Sequence, residues 1–209
     1  VKPFKLFLEQ KGHSIGIFPG AFKPPHKGHF DTVKKAAAEN NDVYVIVSAV
    51  DRDGITAQNS IDTWNIYKPY LPKNVHFMLT SGSPVLVVYQ IADILNNGQF
   101  TPTPRSQMPH PKAQEIVSLI KQKSRGPYTI NLYASQEDAH DRYNAFFKQQ
   151  NTPVFKGGDV SSIVQKEVSR LASATKAREE LNKKDFNLFK RYLPPITKED
   201  MVKVYNKLT

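Results

Sequence analysis

The stretch "SIGIFPGAFKPPHKGHF", Ser14 to Phe30, sets the interpretation of the whole chain. Ser14-Ile15-Gly16-Ile17-Phe18 is a short apolar run ending at Pro19-Gly20, the pattern of a buried strand. From Gly28 to about Asn40 a helix is expected, because Phe30, Val33, Ala36 and Ala37 recur at helical spacing. Between them lies a loop with Gly20, Pro24, Pro25, two lysines and two histidines. Gly20 lets the backbone approach a ligand with no Cβ in the way. The proline pair stiffens the loop and delays the helix. A helix start presents unpaired amides and attracts anions. His26 and His29 can face the same anion there, and Lys23 adds a mobile charge.

Outward from this unit, strands and helices alternate. Val43 to Val47 and Val75 to Leu79 are predicted strands, with a helix over Ile61 to Leu71 between them. Ser83-Pro84 opens a helix that runs to about Leu95. Gln99 to Pro111 is a proline-rich loop without periodicity. Ala113 to Gln122 is expected to be helical, Tyr128 to Tyr133 a fourth strand and Asp138 to Lys148 a helix. Pro153 to Lys156 is expected as a short fifth strand and Val160 to Leu171 as a helix. Helices over Thr175 to Asn182, Asp185 to Tyr192 and Lys198 to Lys207 complete the chain. The alternation predicts an α/β fold: a doubly wound parallel sheet of about five strands, helices on both faces, and a short helical C-terminal extension. Ligands in such folds lie beyond the carboxyl ends of the strands, where strand order reverses. The quoted loop has that position.

The chain has 209 residues, enough for one domain with trimmings. A main domain over residues 1–181 is expected, with an N-terminal segment at 1–13, the insert at 99–112 and the helical extension at 182–209. With no cysteine, disulfides, thiolate metal sites and cysteine catalysis are excluded. No apolar run approaches the ~18 residues of a membrane span, and no signal-peptide pattern is present. A cytoplasmic location is expected. The formal charge of +10 suits small polyanions such as nucleoside triphosphates at least as well as nucleic acid. The cations are scattered and no aromatic RNA-reading pattern accompanies them, so nucleic acid ranks second.

The loop resembles the signature of the HxGH nucleotidylyltransferase superfamily, Gly-x-Phe-x-Pro-x-His-x-Gly-His, here Gly20, Phe22, Pro24, His26, Gly28 and His29. A second segment, Ala172-Ser173-Ala174-Thr175-Lys176-Ala177-Arg178, is similar to the family's Ile-Ser-Ser/Ala-Thr-x-x-Arg at a later helix start. A looser likeness joins Ala134-Ser135-Gln136 and Asp141-Arg142-Tyr143 to a Gly-Ser-Asp and acidic-Arg-Phe region, though the glycine and aspartate are missing.

The resemblance implies a Rossmann-like fold that moves a nucleoside monophosphate from ATP or CTP to a small phosphorylated acceptor and releases pyrophosphate. It implies His26, His29, Lys23 and Arg178 as catalytic residues. The nucleotide would be held by Phe18, Gly20, Ala21, Phe22, Gly28, Ser173 and Thr175, with Ser135, Asp141 and Arg142 near the base. Lys23 would bridge the donor and acceptor phosphates. Ser173, Thr175 and Arg178 would hold the pyrophosphate end, where helix-start hydroxyls and a bidentate guanidinium suit phosphate oxygens. Magnesium would ride on the triphosphate, with no direct protein ligand. An acceptor already ionised at neutral pH needs no general base, consistent with the lack of an evident carboxylate pair.

Acceptor contacts are expected from Thr80, Ser81, Trp64 and Asp51, although Trp64 equally suits a core and Thr80-Ser81-Gly82-Ser83 a plain helix cap. His13, His76, His110 and His140 are read as structural. The Ser-Ala-Thr-Lys-x-Arg string favours the adenylyl branch, with a nicotinamide mononucleotide-like acceptor. The alternatives are a cytidylyltransferase on a polyol phosphate, or a silent nucleotide- or nucleic-acid-binding protein on the same fold. Lys2 to Glu9 is similar to short Lys-x-Phe-Lys-x-Phe-Leu leaders on internal proteins of large tailed phages, which would imply capsid association and, for a phage-encoded chain, the host cytoplasm. Packing of that amphipathic segment on the domain is preferred. A homo-oligomer is left open.

Overall fold

Five parallel strands, in the order β3-β2-β1-β4-β5, form the centre of the computed structural model. Residues 12–98, 110–149, 158–168 and 173–209 are described. The strands are β1 (His13–Gly20), β2 (Asp42–Val47), β3 (Val75–Leu79), β4 (Tyr128–Ala134) and β5 (Val160–Glu167). Helices α1 (Lys27–Glu39), α2 (Ala57–Tyr67), α3 (Pro84–Leu95), α4 (Pro111–Lys123) and α5 (Gln136–Gln149) form the crossovers between them. After β5 come α6 (Ala174–Asn182), the single turn α7 (Phe186–Phe189) and α8 (Lys198–Leu208). This is the expected α/β doubly wound sheet with a helical C-terminus. Strand order reverses between β1 and β4, which opens a crevice at their carboxyl ends.

β2 shows why the sheet is covered on both faces. Val43, Val45 and Val47 enter one core with Phe30, Val33, Trp64, Tyr67 and Ala177. Tyr44 and Ile46 enter the other, with Val88, Ile91, Ile116, Ile120 and Phe146. A strand buried on both sides must be apolar at every position, hence the unbroken run. The C-terminal helices belong to the first core: Phe189, Leu193, Val204 and Leu208 are buried there. α8 is further tied to α2, since Asn59 Nδ2 donates to the Lys207 carbonyl at 2.8 Å and Lys207 pairs with Asp62 at 3.0 Å.

Three of the four histidines read as structural have clear packing roles. His13 and His76 each contact the buried Asp42 carboxylate through Nε2 at 3.0 Å, and Lys123 completes the cluster. These bonds tie β1, β2 and β3 together at their amino ends, opposite the crevice. His110 caps α4, its Nδ1 accepting the Lys112 amide at 3.1 Å. His140 pairs with Asp141 on the exposed side of α5.

One expectation is overturned. The sequence predicts a helix over Val160 to Leu171, yet Val160–Glu167 is the edge strand β5. The misleading signal is the three-residue spacing of Val160 and Ile163, which are both buried. A bulge explains it: Tyr128 pairs with Val160 but Thr129 with Ser162, so Ser161 is an extra residue. The extra residue restores both apolar side chains to one face of the strand. The expected strand at residues 153–156 lies outside the described residues, as do residues 1–11 and 99–109.

Candidate active site

The loop after β1 is fastened from three sides. From α2, Ser60 Oγ donates to the Phe22 carbonyl and Tyr67 OH to the Pro25 carbonyl at 3.2 Å. From α6, Arg178 Nη1 donates to the Lys23 carbonyl at 2.7 Å. Lys23 is itself buried, and its ammonium donates to the carbonyls of Ala21 at 3.1 Å and Ser48 at 2.9 Å. Ser48 follows β2, so this lysine joins the carboxyl ends of β1 and β2. Burial lowers its pKa, opposed by the charge of Asp51.

Phe22 has a left-handed backbone, φ 52°, costly for a bulky residue. Its ring offsets that cost by packing edge-on against Phe18 at 4.9 Å, His29 at 5.0 Å and Trp64 at 5.6 Å. The reason for Gly20 follows. A Cβ there would meet the Phe22 ring at 2.8 Å, so the glycine makes room for an aromatic side chain.

His26 is the N-cap of α1, and His29 lies in the first turn. Their rings stack with centroids 3.6 Å apart and planes 18° apart. Burial holds the His26 pKa down to about 4. Burial also holds His29 well below its ordinary value, with a smaller push from His26. Both rings are therefore neutral at pH 7. His29 Nδ1 accepts the His26 amide at 3.3 Å, which places the proton of the neutral ring on Nε2. His29 thus offers an N–H donor rather than a positive charge. His26 Nδ1 is buried without a partner.

Arg178 binds in three directions: Lys23 through Nη1, Thr175 Oγ1 through Nη2 at 3.3 Å, and Asp53 Oδ2 through Nε at 2.6 Å. Ser173 is the N-cap of α6, its hydroxyl accepting the Lys176 amide at 3.4 Å. The two expected phosphate segments, far apart in the chain, therefore meet at the end of β1. Ala172 of the second segment lies outside the described residues.

Other expected site residues are placed differently. Trp64 is fully buried between Phe22, Tyr67 and Phe77, the last stacked on it at 4.9 Å. Trp64 is a core residue here, with no open face for an acceptor ring. The Thr80 hydroxyl is buried and donates within its own turn to the Gly82 carbonyl at 2.6 Å. Ser81 is exposed beside His110 Nε2 at 2.9 Å. Asp51 Oδ1 accepts the Ala57 amide at 2.8 Å, at the start of α2. Ser135 opens α5, its hydroxyl accepting the Asp138 amide at 3.1 Å. Asp141 and Arg142 lie further along α5, exposed and paired with His140 and Asp138.

Sequence reasoning missed Asp53. Asp-Gly at 53–54 is a tight-turn signal, but its partner Arg178 is remote in sequence. Among the described residues no three acidic, histidine or cysteine side chains are grouped to hold a metal ion, and no helix is long and apolar enough to cross a membrane.

No protein-family model and no curated protein matches the chain. Solved structures do match it. One is the bifunctional NMN adenylyltransferase/ADP ribose pyrophosphatase from Francisella tularensis: 12% identity, 94% of this chain, 52% of that chain, TM-score 0.56. Another is Plasmodium falciparum nicotinic acid mononucleotide adenylyltransferase complexed with APC: 14% identity, 94% of this chain, 97% of that chain, TM-score 0.53. A third is NadR protein in complex with NR: 18% identity, 80% of this chain, TM-score 0.46. The chain spans 41% of the NadR chain and about half of the Francisella protein. The property shared with the Francisella and Plasmodium structures is the fold, an α/β parallel sheet with C-terminal helices. It is the fold implied by the resemblance to the HxGH nucleotidylyltransferase superfamily.

Proposed function

We propose that the chain is a nucleotidylyltransferase that moves AMP from ATP to a small phosphorylated acceptor, with a nicotinamide mononucleotide-like acceptor favoured. The observation that carries this is the closure of Arg178 onto the Lys23 carbonyl at 2.7 Å. It puts a guanidinium, a lysine and a neutral histidine pair at a strand switch point, where parallel α/β folds take ligands. The names of the structures that share the fold, NMN and nicotinic acid mononucleotide adenylyltransferases, support the adenylyl branch and the acceptor class.

In this proposal an oxygen of the acceptor phosphate attacks the α-phosphorus of ATP. The bond from that phosphorus to the bridging oxygen breaks, and pyrophosphate leaves with the electron pair. The nucleophile is an anion, so no proton has to be removed. Catalysis is alignment and stabilisation of oxygen charge. His29 Nε2–H serves as a preorganised donor to the α-phosphate, with no change of protonation state during transfer. His26 backs it through the ring stack. Lys23 is not the mobile charge expected from the sequence: its ammonium is buried on the Ala21 and Ser48 carbonyls, so it supplies fixed positive charge behind the phosphates, and Arg178, Thr175 and Ser173 take the pyrophosphate end. Magnesium enters as part of the Mg–nucleotide substrate, held by phosphate oxygens.

The test is pyrophosphate release from ATP and from CTP across a panel of phosphorylated acceptors. Release with ATP and nicotinamide mononucleotide supports the reading. Release with CTP and a polyol phosphate would move the chain to the cytidylyl branch. Silence across the panel together with tight oligonucleotide binding would replace the enzyme reading with a binding protein.

A further inference from the structure

Asp53 occupies the guanidinium that the proposed reaction needs. Its carboxylate meets Arg178 Nε at 2.6 Å, while the two terminal nitrogens of Arg178 are fixed by the Lys23 carbonyl and the Thr175 hydroxyl. The Arg178 side chain is 12% exposed and that of Asp53 57%. The arginine is the anchored partner, and the carboxylate is the one that can leave.

The backbone around Asp53 suits that role. Arg52 and Ile55 exchange both main-chain hydrogen bonds, at 3.0 and 2.9 Å, across a two-residue turn. Asp53 and Gly54 both have left-handed backbones, φ 50° and 80°, the geometry of a tight hairpin turn. A Cβ at Gly54 would meet nothing within 4 Å, so the tip stands in open space. Ile55 anchors the base of the turn in the first core, so the Asp53 side chain at the tip can leave Arg178 while the base stays packed.

A carboxylate and a phosphate offer a guanidinium the same kind of acceptor oxygens. We infer that Asp53 is a specificity-determining residue: it holds Arg178 in place of phosphate oxygens and yields to a polyphosphate. The ligand class is the β,γ end of a nucleoside triphosphate, or free tripolyphosphate. A carboxylate carries one negative charge and a terminal phosphate about 1.5 to 2 at neutral pH, so the exchange favours the phosphate. A nucleoside monophosphate does not reach Arg178 and gains nothing from the exchange. Every ligand that must displace Asp53 binds more weakly by the fraction of molecules in which Arg178 is free. This inference rests on the nucleotidyl-transfer reading.

The test is calorimetric titration of Mg–ATP, tripolyphosphate and AMP into wild type, Asp53→Asn and Asp53→Gly. Asparagine and glycine both accept a left-handed backbone, so each variant keeps the turn. Both are expected to bind ATP and tripolyphosphate about 3- to 10-fold more tightly, with AMP changed by less than about twofold. In an Arg178→Gln background the gain should vanish. Unchanged or weaker binding of ATP in both variants overturns this inference alone, as does an equal gain for AMP. Failure of wild type and all variants to bind any of the three compounds overturns it together with the reading beneath it.

Discussion

Arg178 Nη1 and the main-chain carbonyl of Lys23 are joined by a 2.7 Å hydrogen bond. One partner belongs to the first turns of α6 and the other to the loop after β1. The bond fixes a remote guanidinium against the residue whose ammonium spans the ends of β1 and β2. Lysine could supply the charge of Arg178 but not its fork of donors in one plane. Arg178→Lys should therefore lower kcat/KM for ATP by about 10- to 100-fold, the loss of one to two charge-assisted hydrogen bonds. Steady-state kinetics with ATP varied at saturating acceptor measures this. Wild-type kcat/KM in the variant would remove Arg178 from the site.

The stacked histidines make stability depend on pH in a defined window. His26 has a folded-state pKa of about 4 against an ordinary 6.5, and His29 is shifted in the same direction. A depressed pKa means that the unfolded chain takes the proton first as pH falls. Stability is complete above pH 6.5 and declines between 6.5 and about 4, with a contribution of order 3 kcal/mol from His26. Urea unfolding at successive pH values should show this decline, and His26→Asn should flatten it. An equally steep decline in the variant would place its origin elsewhere.

Asp42 supports the opposite end of the sheet and works in a lower pH window. Its pKa is lowered by bonds from Lys123, His76 and His13, which together outweigh its burial. Asp42→Asn should cost about 2–4 kcal/mol in urea unfolding, because a buried ion cluster loses its shared anion. Turnover per folded molecule should stay at the wild-type level, since the cluster lies at the amino ends of β1, β2 and β3. Loss of turnover without loss of stability would show that the two ends of the sheet are coupled.

Which features were legible in the sequence follows from where their causes lie. β1, its loop and α1 are encoded within Ser14 to Asn40, where apolar spacing, prolines and glycine act on near neighbours. β5 has the apolar spacing of a helix because its bulge at Tyr128/Thr129 is set by pairing with β4, a strand remote in sequence. Both segments could be picked out by their resemblance to the family's motifs, but not the bond between Arg178 and Lys23. Trp64 looked like a possible stacking platform because a lone tryptophan shows no burial in sequence. Packing against Phe77 and Tyr67 makes it core. The neutrality of His26 and His29 is likewise a product of burial, which residue names do not carry.

In the proposed reaction His29 donates to an α-phosphate undergoing transfer. The direct measurement follows the label of ATP carrying 32P at the α-phosphate into nicotinamide mononucleotide, for wild type and for His29→Ala at equal folded concentration. Label should move onto the acceptor with stoichiometric pyrophosphate release, and His29→Ala should slow it by at least ~100-fold, the scale for one lost transition-state donor. Transfer by His29→Ala at a rate close to that of wild type would mean that His29 makes no bond to the transferring phosphate.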